Sequence, residues 1–269
     1  MSTPPNVVTS IDGKPYTVVL TPYVAPPPAV VPPPPASGLL LLPAGVTPII
    51  SQLDALTTWT GEWDTGTNSG GKDATGKVIP GAVGTTSYPV TIGGRVARAF
   101  PSDYTNHGGF RYHVHYDMDT TRKNFIYGGD LYFDGELPAQ MELDNNQVTV
   151  DGKTYIYGVQ CNANDGFWDI TMQDTGCHWK ASTAKGNPQQ WPTKTWLHFE
   201  IQCHRDDAGN ITYDAVHFNG TTQKIGMTFP SARNLGWAIG SLLVNVQLGG
   251  ASAAGSIRAY GSGLKVARW

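Results

Sequence analysis

The sequence predicts an all-β fold, an antiparallel β-sandwich carrying an extended proline-rich N-terminal arm. Composition is the first ground. Of 269 residues only 14% are charged, while glycine (32) and proline (20) are abundant, a strand-and-turn balance rather than a helical one. The second is patterning: short period-two runs recur, with turn residues between them at intervals of about ten residues. The third is that no stretch carries the 3.6-residue periodicity of an amphipathic helix. All-β sandwiches often run past roughly 200 residues as one domain, so a single domain accommodates the patterned part of the chain.

Taken in order, residues 1–48 read as the arm and residues 49–269 as the sandwich. Most prolines precede Ile49, including Pro26, Pro27 and Pro28 and the run from Pro32 to Pro35. Such runs take the polyproline II form and cannot serve as central strands. Ahead of them, residues 7–20 hold a hairpin signal around Asp12-Gly13. A lone hairpin is marginal in water. The arm is therefore a surface linker or stalk, or it docks on its own domain, or it adds a strand to a neighbouring subunit's sheet edge and mediates self-association.

Within the sandwich, Val90, Thr91 and Ile92, then Gly93-Gly94, then residues 95–100 predict a tight hairpin. Residues 109–117 alternate: Phe110, Tyr112, Val114 and Tyr116 on one side, Arg111, His113, His115 and Asp117 on the other. A strand over 125–133 follows. Residues 148–150 and 155–160 flank Asp151-Gly152, and residues 213–218 and 223–227 flank Asn219-Gly220. Residues 196–202 set Trp196, His198, Glu200 and Gln202 opposite Leu197, Phe199 and Ile201. Strands over 242–248 and 264–269 close the chain.

Residues 140–147 are the stretch with the clearest chemistry. Read as a strand, Gln140, Glu142 and Asp144 share one face, and Met141 and Leu143 point the other way. The two carboxylates then stand roughly 6–7 Å apart and repel. Such a pair serves a ligand, a cation or a proton, or else it is the solvated outer face of an ordinary strand.

Other classes are excluded or left open by simple features. The net charge is −3 and no Lys/Arg cluster occurs, so the electrostatic footprint of a nucleic-acid or anionic-membrane partner is absent. The apolar run over 38–50 is broken by Pro43 and Pro48 and falls short of the roughly 18 residues of a membrane span. No signal peptide is visible, which is compatible with a mature form bearing an added Met. Of three cysteines, Cys161 and Cys177 bracket a Gly/Asp/Asn-rich segment and are expected to form a disulfide, which implies an exporting compartment. Cys203 shares its phase with Leu197, Phe199 and Ile201 and reads as a buried free thiol. His113, His115 and Asp117 at i, i+2 spacing are compatible with metal chelation completed by Glu142 or Glu200, although such sets are usually hydrogen-bonded surface groups. No loop has an EF-hand spacing; a structural calcium is left open and no other cofactor is expected. No phosphate-binding glycine loop and no G-x-S-x-G elbow occurs, which removes nucleotide and serine-hydrolase readings.

In these residues the chain resembles the concanavalin A-like lectin/glucanase jelly rolls, and among them the family-16 glycoside hydrolases. Their signature is E-x-D-x-E, or E-x-D-x-x-E with a bulge. Glu142 and Asp144 match its first two positions; the third is Asn146 in the unbulged register or Gln147 in the bulged one. The resemblance implies Glu142 as nucleophile and Asp144 as its orienting neighbour, with an amide where the general acid should be. An amide has no titratable proton to give a leaving oxygen. Glu136, Asp130 or Asp169 would have to replace the acid for hydrolysis to survive. Binding survives without it, and the expected carbohydrate-binding set is Gln140, Asn146, Gln147, His113, His115, Trp168, Trp191, Trp196 and Glu200. These strands are expected to form one polar groove, with the tryptophans stacking on sugar faces. The implied partner is a polysaccharide or oligosaccharide, met outside the cell or at its surface. Three readings follow: an exported carbohydrate-binding protein, an active glycoside hydrolase or lyase-like enzyme with a relocated acid, and an assembly protein joined through the arm.

Overall fold

The structure, a computed structural model, describes residues 38–67, 70–149, 152–172, 178–230, 232–233 and 240–269, together with two strands of the N-terminal unit. The chain divides into two units, Met1–Ala36 and Ser37–Trp269. In the first, β1 (Val7–Ile11) pairs antiparallel with β2 (Lys14–Val18), from Val7↔Val18 to Ile11↔Lys14. The proline runs and Asp12-Gly13 lie outside the described residues.

The second unit starts earlier than residue 49. Leu39 packs on Ile126 and Ala267, and the amides of Leu40 and Leu41 donate to the Glu200 carboxylate. Residues 38–48, expected in the arm, thus contribute to the domain.

Its strands are β3 (Ile49–Gln52), β4 (Thr60–Thr65), β5 (Gly81–Val83), β6 (Ser87–Ile92), β7 (Arg95–Thr105), β8 (Gly109–Asp117), β9 (Asn124–Phe133) and β10 (Gln140–Val148). There follow β11 (Thr154–Asn162), β12 (Phe167–Met172), β13 (His178–Lys185), β14 (Trp196–Arg205), β15 (Asn210–Phe218), β16 (Thr221–Pro230), β17 (Ala232–Arg233), β18 (Ser241–Gly249) and β19 (Gly255–Arg268). They form an antiparallel sandwich of the jelly-roll kind. The first sheet runs β13-β12-β11-β10-β18-β8-β4, with β17 on β11. The second runs β16-β15-β14-β9-β19-β7-β5, with β3 on β19 and β6 on β7. No helix among the described residues is long and apolar enough to cross a membrane.

Local chemistry explains the hairpins. Gly93 and Gly94 turn with φ of 54° and 76°, and Asn219 and Gly220 with 44° and 84°, the left-handed pair that a two-residue hairpin loop needs. The core lies between the sheets. Tyr112, Val114, Met141, Leu143, Val244 and Val246 of the first meet Phe125, Tyr127, Phe199, Ile201 and Val266 of the second, all buried. Near one edge Gln223 reaches across to β13, accepting from the Lys185 amide (2.7 Å) and donating to its carbonyl (2.8 Å).

The expected disulfide is corrected. Cys161 is a free thiol buried in the core, donating to the Met141 carbonyl, and Cys177 lies outside the described residues. Cys203 is free and buried, as its strand phase predicted.

One carboxylate weakens the fold at neutral pH. Burial pushes Asp54 from 3.8 to about 6, against the Gly263 and Leu264 amides and the Arg98 charge that lower it. Its Oδ1 has no hydrogen-bond partner. The fold therefore holds this proton more tightly than the unfolded chain, so the stabilisation exists at low pH and is lost as pH rises through about 6. Asp54→Asn is expected to raise unfolding free energy above about pH 7 by about 1–3 kcal/mol and to flatten the profile between about pH 4 and 6. Denaturant titrations across that range check it; a variant no more stable at neutral pH contradicts it.

Candidate functional site

The site is the outer face of the first sheet, and strand register builds it. β10 pairs one-to-one with both neighbours, so Glu142 sits between Gln160 of β11 and Gln247 of β18. Gln247 pairs with Arg111, Arg111 with Glu62, and Gln160 with Asp169. One polar rung therefore crosses the sheet in the order Glu62, Arg111, Gln247, Glu142, Gln160, Asp169. Its members are bonded in three pairs along the row. Arg111 pairs with Glu62 and lies 3.7 Å from Asp64; Gln247 Nε2 donates to Glu142 Oε2 at 2.9 Å; Gln160 Nε2 donates to Asp169 Oδ2 at 3.2 Å. The Gln140 amide donates to Gln160.

The next rung carries Thr60, His113, Asn245, Asp144 and Gly158. Thr60 Oγ1 lies 3.0 Å from His113 Nε2, and Asn245 Nδ2 donates to Asp144 Oδ2 at 3.2 Å. A Cβ on Gly158 would lie 2.8 Å from Asp144 Oδ1 and 2.6 Å from Thr171 Cγ2. Glycine is what lets the Asp144 carboxyl lie flat on the sheet.

Electrostatically the face is acidic. Burial pushes Asp144 up, while hydrogen bonds with Glu142 and Asn245 and the Arg111 charge pull it down. Burial likewise raises Asp169 and Asp64, the latter opposed by Arg111. Burial lowers His113 below its ordinary 6.5, with Arg111 and His115 adding to the effect and Glu62 opposing it, so the ring is neutral at neutral pH. Several buried polar atoms on this face have no hydrogen-bond partner: Asp144 Oδ1, Asp169 Oδ1, Asn245 Oδ1 and both amide atoms of Asn146. Buried polar groups normally find partners, and their clustering marks where a bound group would bond.

The structure brings together Gln140, Glu142, Asp144, His113 and His115 on this face. His115 is exposed and pairs with Ser241, and Asn146 shares the face but is fully buried between Leu243 and Ile156. The other expected members are corrected. Gln147 faces the core because β10 has no bulge; it donates to the Thr120 and Arg122 carbonyls (2.6 and 2.8 Å) and accepts from Tyr157 (3.0 Å) and Arg205 (3.1 Å). Trp196 and Glu200 lie on β14, in the second sheet, so they do not join this face. Glu200 is fully buried, and Trp196 packs on Tyr132 with the Arg95 guanidinium over its ring. Trp168 and Trp191 belong to the core at 0% and 8% exposure, where no sugar ring reaches them. Trp191 is turned inward by a 3-10 turn over Pro188–Gln190.

The chelating trio is also undone. A register shift between Leu242 and Leu243 bulges β8, and Asp117 pairs with Arg268 instead of following the histidines. Among the described residues no group of three or more His, Cys, Asp or Glu is placed to hold a metal ion. Of the substitute acids, Asp169 is on the face. Asp130 is on the second sheet with Arg95 and His198, and Glu136 accepts from Tyr104 and Ser256. Sequence reasoning passed over Glu62, Gln160, Asn245 and Gln247. Asn245 and Gln247 alternating with Val244, Val246 and Leu248 was the available signal.

No family model and no curated protein matches the chain. Among solved structures it is similar to alginate lyase vAL-1 from Chlorella virus, at 10% identity over 70% of this chain and 92% of that one, TM-score 0.45. It is also similar to the family 11 carbohydrate-binding module from Clostridium thermocellum in complex with a β-1,3-1,4-mixed-linked tetrasaccharide (11% identity, 81% and 94% covered, TM-score 0.37). A third is the carbohydrate-binding module CBM66 from Bacillus subtilis (9% identity, 79% and 98% covered, TM-score 0.37).

Proposed function

We propose that the outer face of the first sheet binds a polysaccharide. The observation that carries this is the polar rung from Glu62 to Asp169, bonded in three side-chain pairs. Strands stand about 4.8 Å apart, so the row extends about 24 Å, a length suited to an extended chain rather than a compact metabolite. Its carboxylates and amides are the acceptors and donors that sugar hydroxyls require. Gln140, Glu142, Arg111 and His113 are partly exposed and can reach a ligand. The same reading puts the protein outside the cell or at its surface, where such polymers are met.

Hydrolysis is a second reading, favoured by one placement. Asp169 stands two strands from Glu142, about 9.6 Å by strand spacing, close to the roughly 6.5–9.5 Å of inverting glycosidases. Burial keeps the Asp169 proton on to higher pH, as a general acid requires, and Glu142 would be the base.

The test is a polysaccharide panel scored for co-sedimentation and reducing-end release together. Wild-type protein is expected to sediment with at least one polymer, and Glu142→Gln to weaken that binding about tenfold, the loss of one charge-assisted hydrogen bond. Reducing ends that are released without an unsaturated sugar and that disappear in Asp169→Asn establish hydrolysis. Failure to sediment with any polymer sinks the proposal.

A further inference from the structure

Resting on the glycan-binding reading, we propose that the ligand is a polymer of amino sugars with free amines, and that this face rejects polyuronates. The charge on the face argues for it. Glu62, Asp64, Glu142, Asp144 and Asp169 all lie along its two rungs or beside them, whereas the Arg111 guanidinium is already paired with Glu62 and close to Asp64. His113 adds no positive charge at neutral pH. An incoming carboxylate would meet carboxylates with no free cation at Arg111 to receive it, and like charges brought together on a partly desolvated surface repel strongly.

The unpartnered atoms point the same way. Asp144, Asp169 and Asn245 are 3%, 4% and 3% exposed, and each leaves one oxygen with no close donor, Asn162 and Asp165 being further neighbours of Asp169. Against these acceptors, the buried unpaired donors among the described residues of the face are the Asn146 amide nitrogen and the Thr154 hydroxyl. A ligand that fits this imbalance brings N–H and O–H groups. An ammonium brings three donors and a positive charge at once, and its hydrogen bonds to carboxylates are roughly twice as strong as neutral ones. Asp144 pairs across the sheet with Gly158 and Asp169 with the next outward residue, Gln160, so the two carboxylates stand on either side of the same strand.

The test compares length-matched oligomers by calorimetry: chitosan (amine), cellulose (hydroxyl) and oligoguluronate (carboxylate). The amine oligomer is expected to bind about tenfold tighter than the hydroxyl oligomer, and the acid one not to bind. Raising salt from about 0.05 to about 0.5 M should reduce the amine preference only in part, because Asp144 and Asp169 are buried and weakly screened. Asp169→Asn, which keeps an acceptor for Gln160, should weaken the amine oligomer more than the hydroxyl oligomer and so narrow the ratio between them. Equal binding of amine and hydroxyl oligomers, or binding of the acid oligomer, overturns the selectivity and leaves the glycan face standing. Binding of none of the three, together with no polymer in the sedimentation panel, removes both.

Discussion

Glu200→Leu is expected to lower the unfolding free energy by about 3–5 kcal/mol, the usual cost of removing one partner from a buried ion pair. Glu200 is fully buried on the outer side of β14, beneath residues 38–42. Its carboxylate accepts the backbone amides of Leu40 and Leu41, each at 2.8 Å, and lies 3.0 Å from His198 Nε2. His198 Nδ1 lies 2.8 Å from Asp130, which Arg95 pairs at 2.7 Å. Leucine preserves the volume but strands two amides and one imidazolium. Glu200→Gln keeps one acceptor and should lose less. The same network sets a pH dependence. Burial lowers His198, but the hydrogen bonds and charges of Asp130 and Glu200 outweigh it and raise the ring to about 9. A folded value above the unfolded one means that this contribution is complete below about pH 6.5 and lost as pH rises through about 9. Denaturant unfolding of wild type and Glu200→Leu at about pH 6 and 10 measures both effects. Hydrogen exchange at Leu40 and Leu41 should accelerate in the variant; unchanged exchange would mean that Glu200 does not hold the segment.

How far the sequence carried depends on what each residue's neighbours do. Alternation placed Phe110, Tyr112 and Val114 inside and Arg111 and His113 outside, because a strand buried on one face has no freedom to choose. The same rule made Glu142 and Asp144 co-facial with Gln140. It could not say which sheet a strand joins: residues 196–202 alternate as cleanly as 109–117, yet β14 lies in the second sheet and β8 in the first. That is long-range pairing, invisible in local pattern, and it separated Glu200 and Trp196 from the candidate site. The Cys161–Cys177 segment misled for a related reason. Its Asp, Asn and Gly density reads as a loop, while β12 gains its place from pairing with β11 and β13. The one-to-one register of β10, which sends Gln147 inward, needed the lengths of both neighbouring strands. Residues 38–48 read as arm because their leucines lie among prolines, and it is the Glu200 carboxylate that takes the amides of Leu40 and Leu41.

Trp168→Ala is expected to cost about 3–5 kcal/mol of stability, whatever it does to the proposed glycan face. Trp168 has no exposed surface and anchors an aromatic cluster, its ring centroid 6.2 Å from Trp191 and 5.8 Å from Phe218, with Trp191 stacked on Phe218 at 4.5 Å. A side chain there on Gly186 would come within 2.5 Å of Trp168 Nε1, so glycine and tryptophan are fitted to each other. The indole N–H itself is buried without a partner. An unpaired buried donor costs about 1–3 kcal/mol, so Trp168→Phe recovers that penalty while giving up part of the ring's packing. The phenylalanine variant should therefore sit within about 1.5 kcal/mol of wild type, far above the alanine variant. Equilibrium unfolding of both, with co-sedimentation of the phenylalanine variant, separates packing from recognition. Retained stability with lost glycan binding in Trp168→Phe would restore the indole to the site; retained binding fixes it as part of the wall on which Asp169 stands.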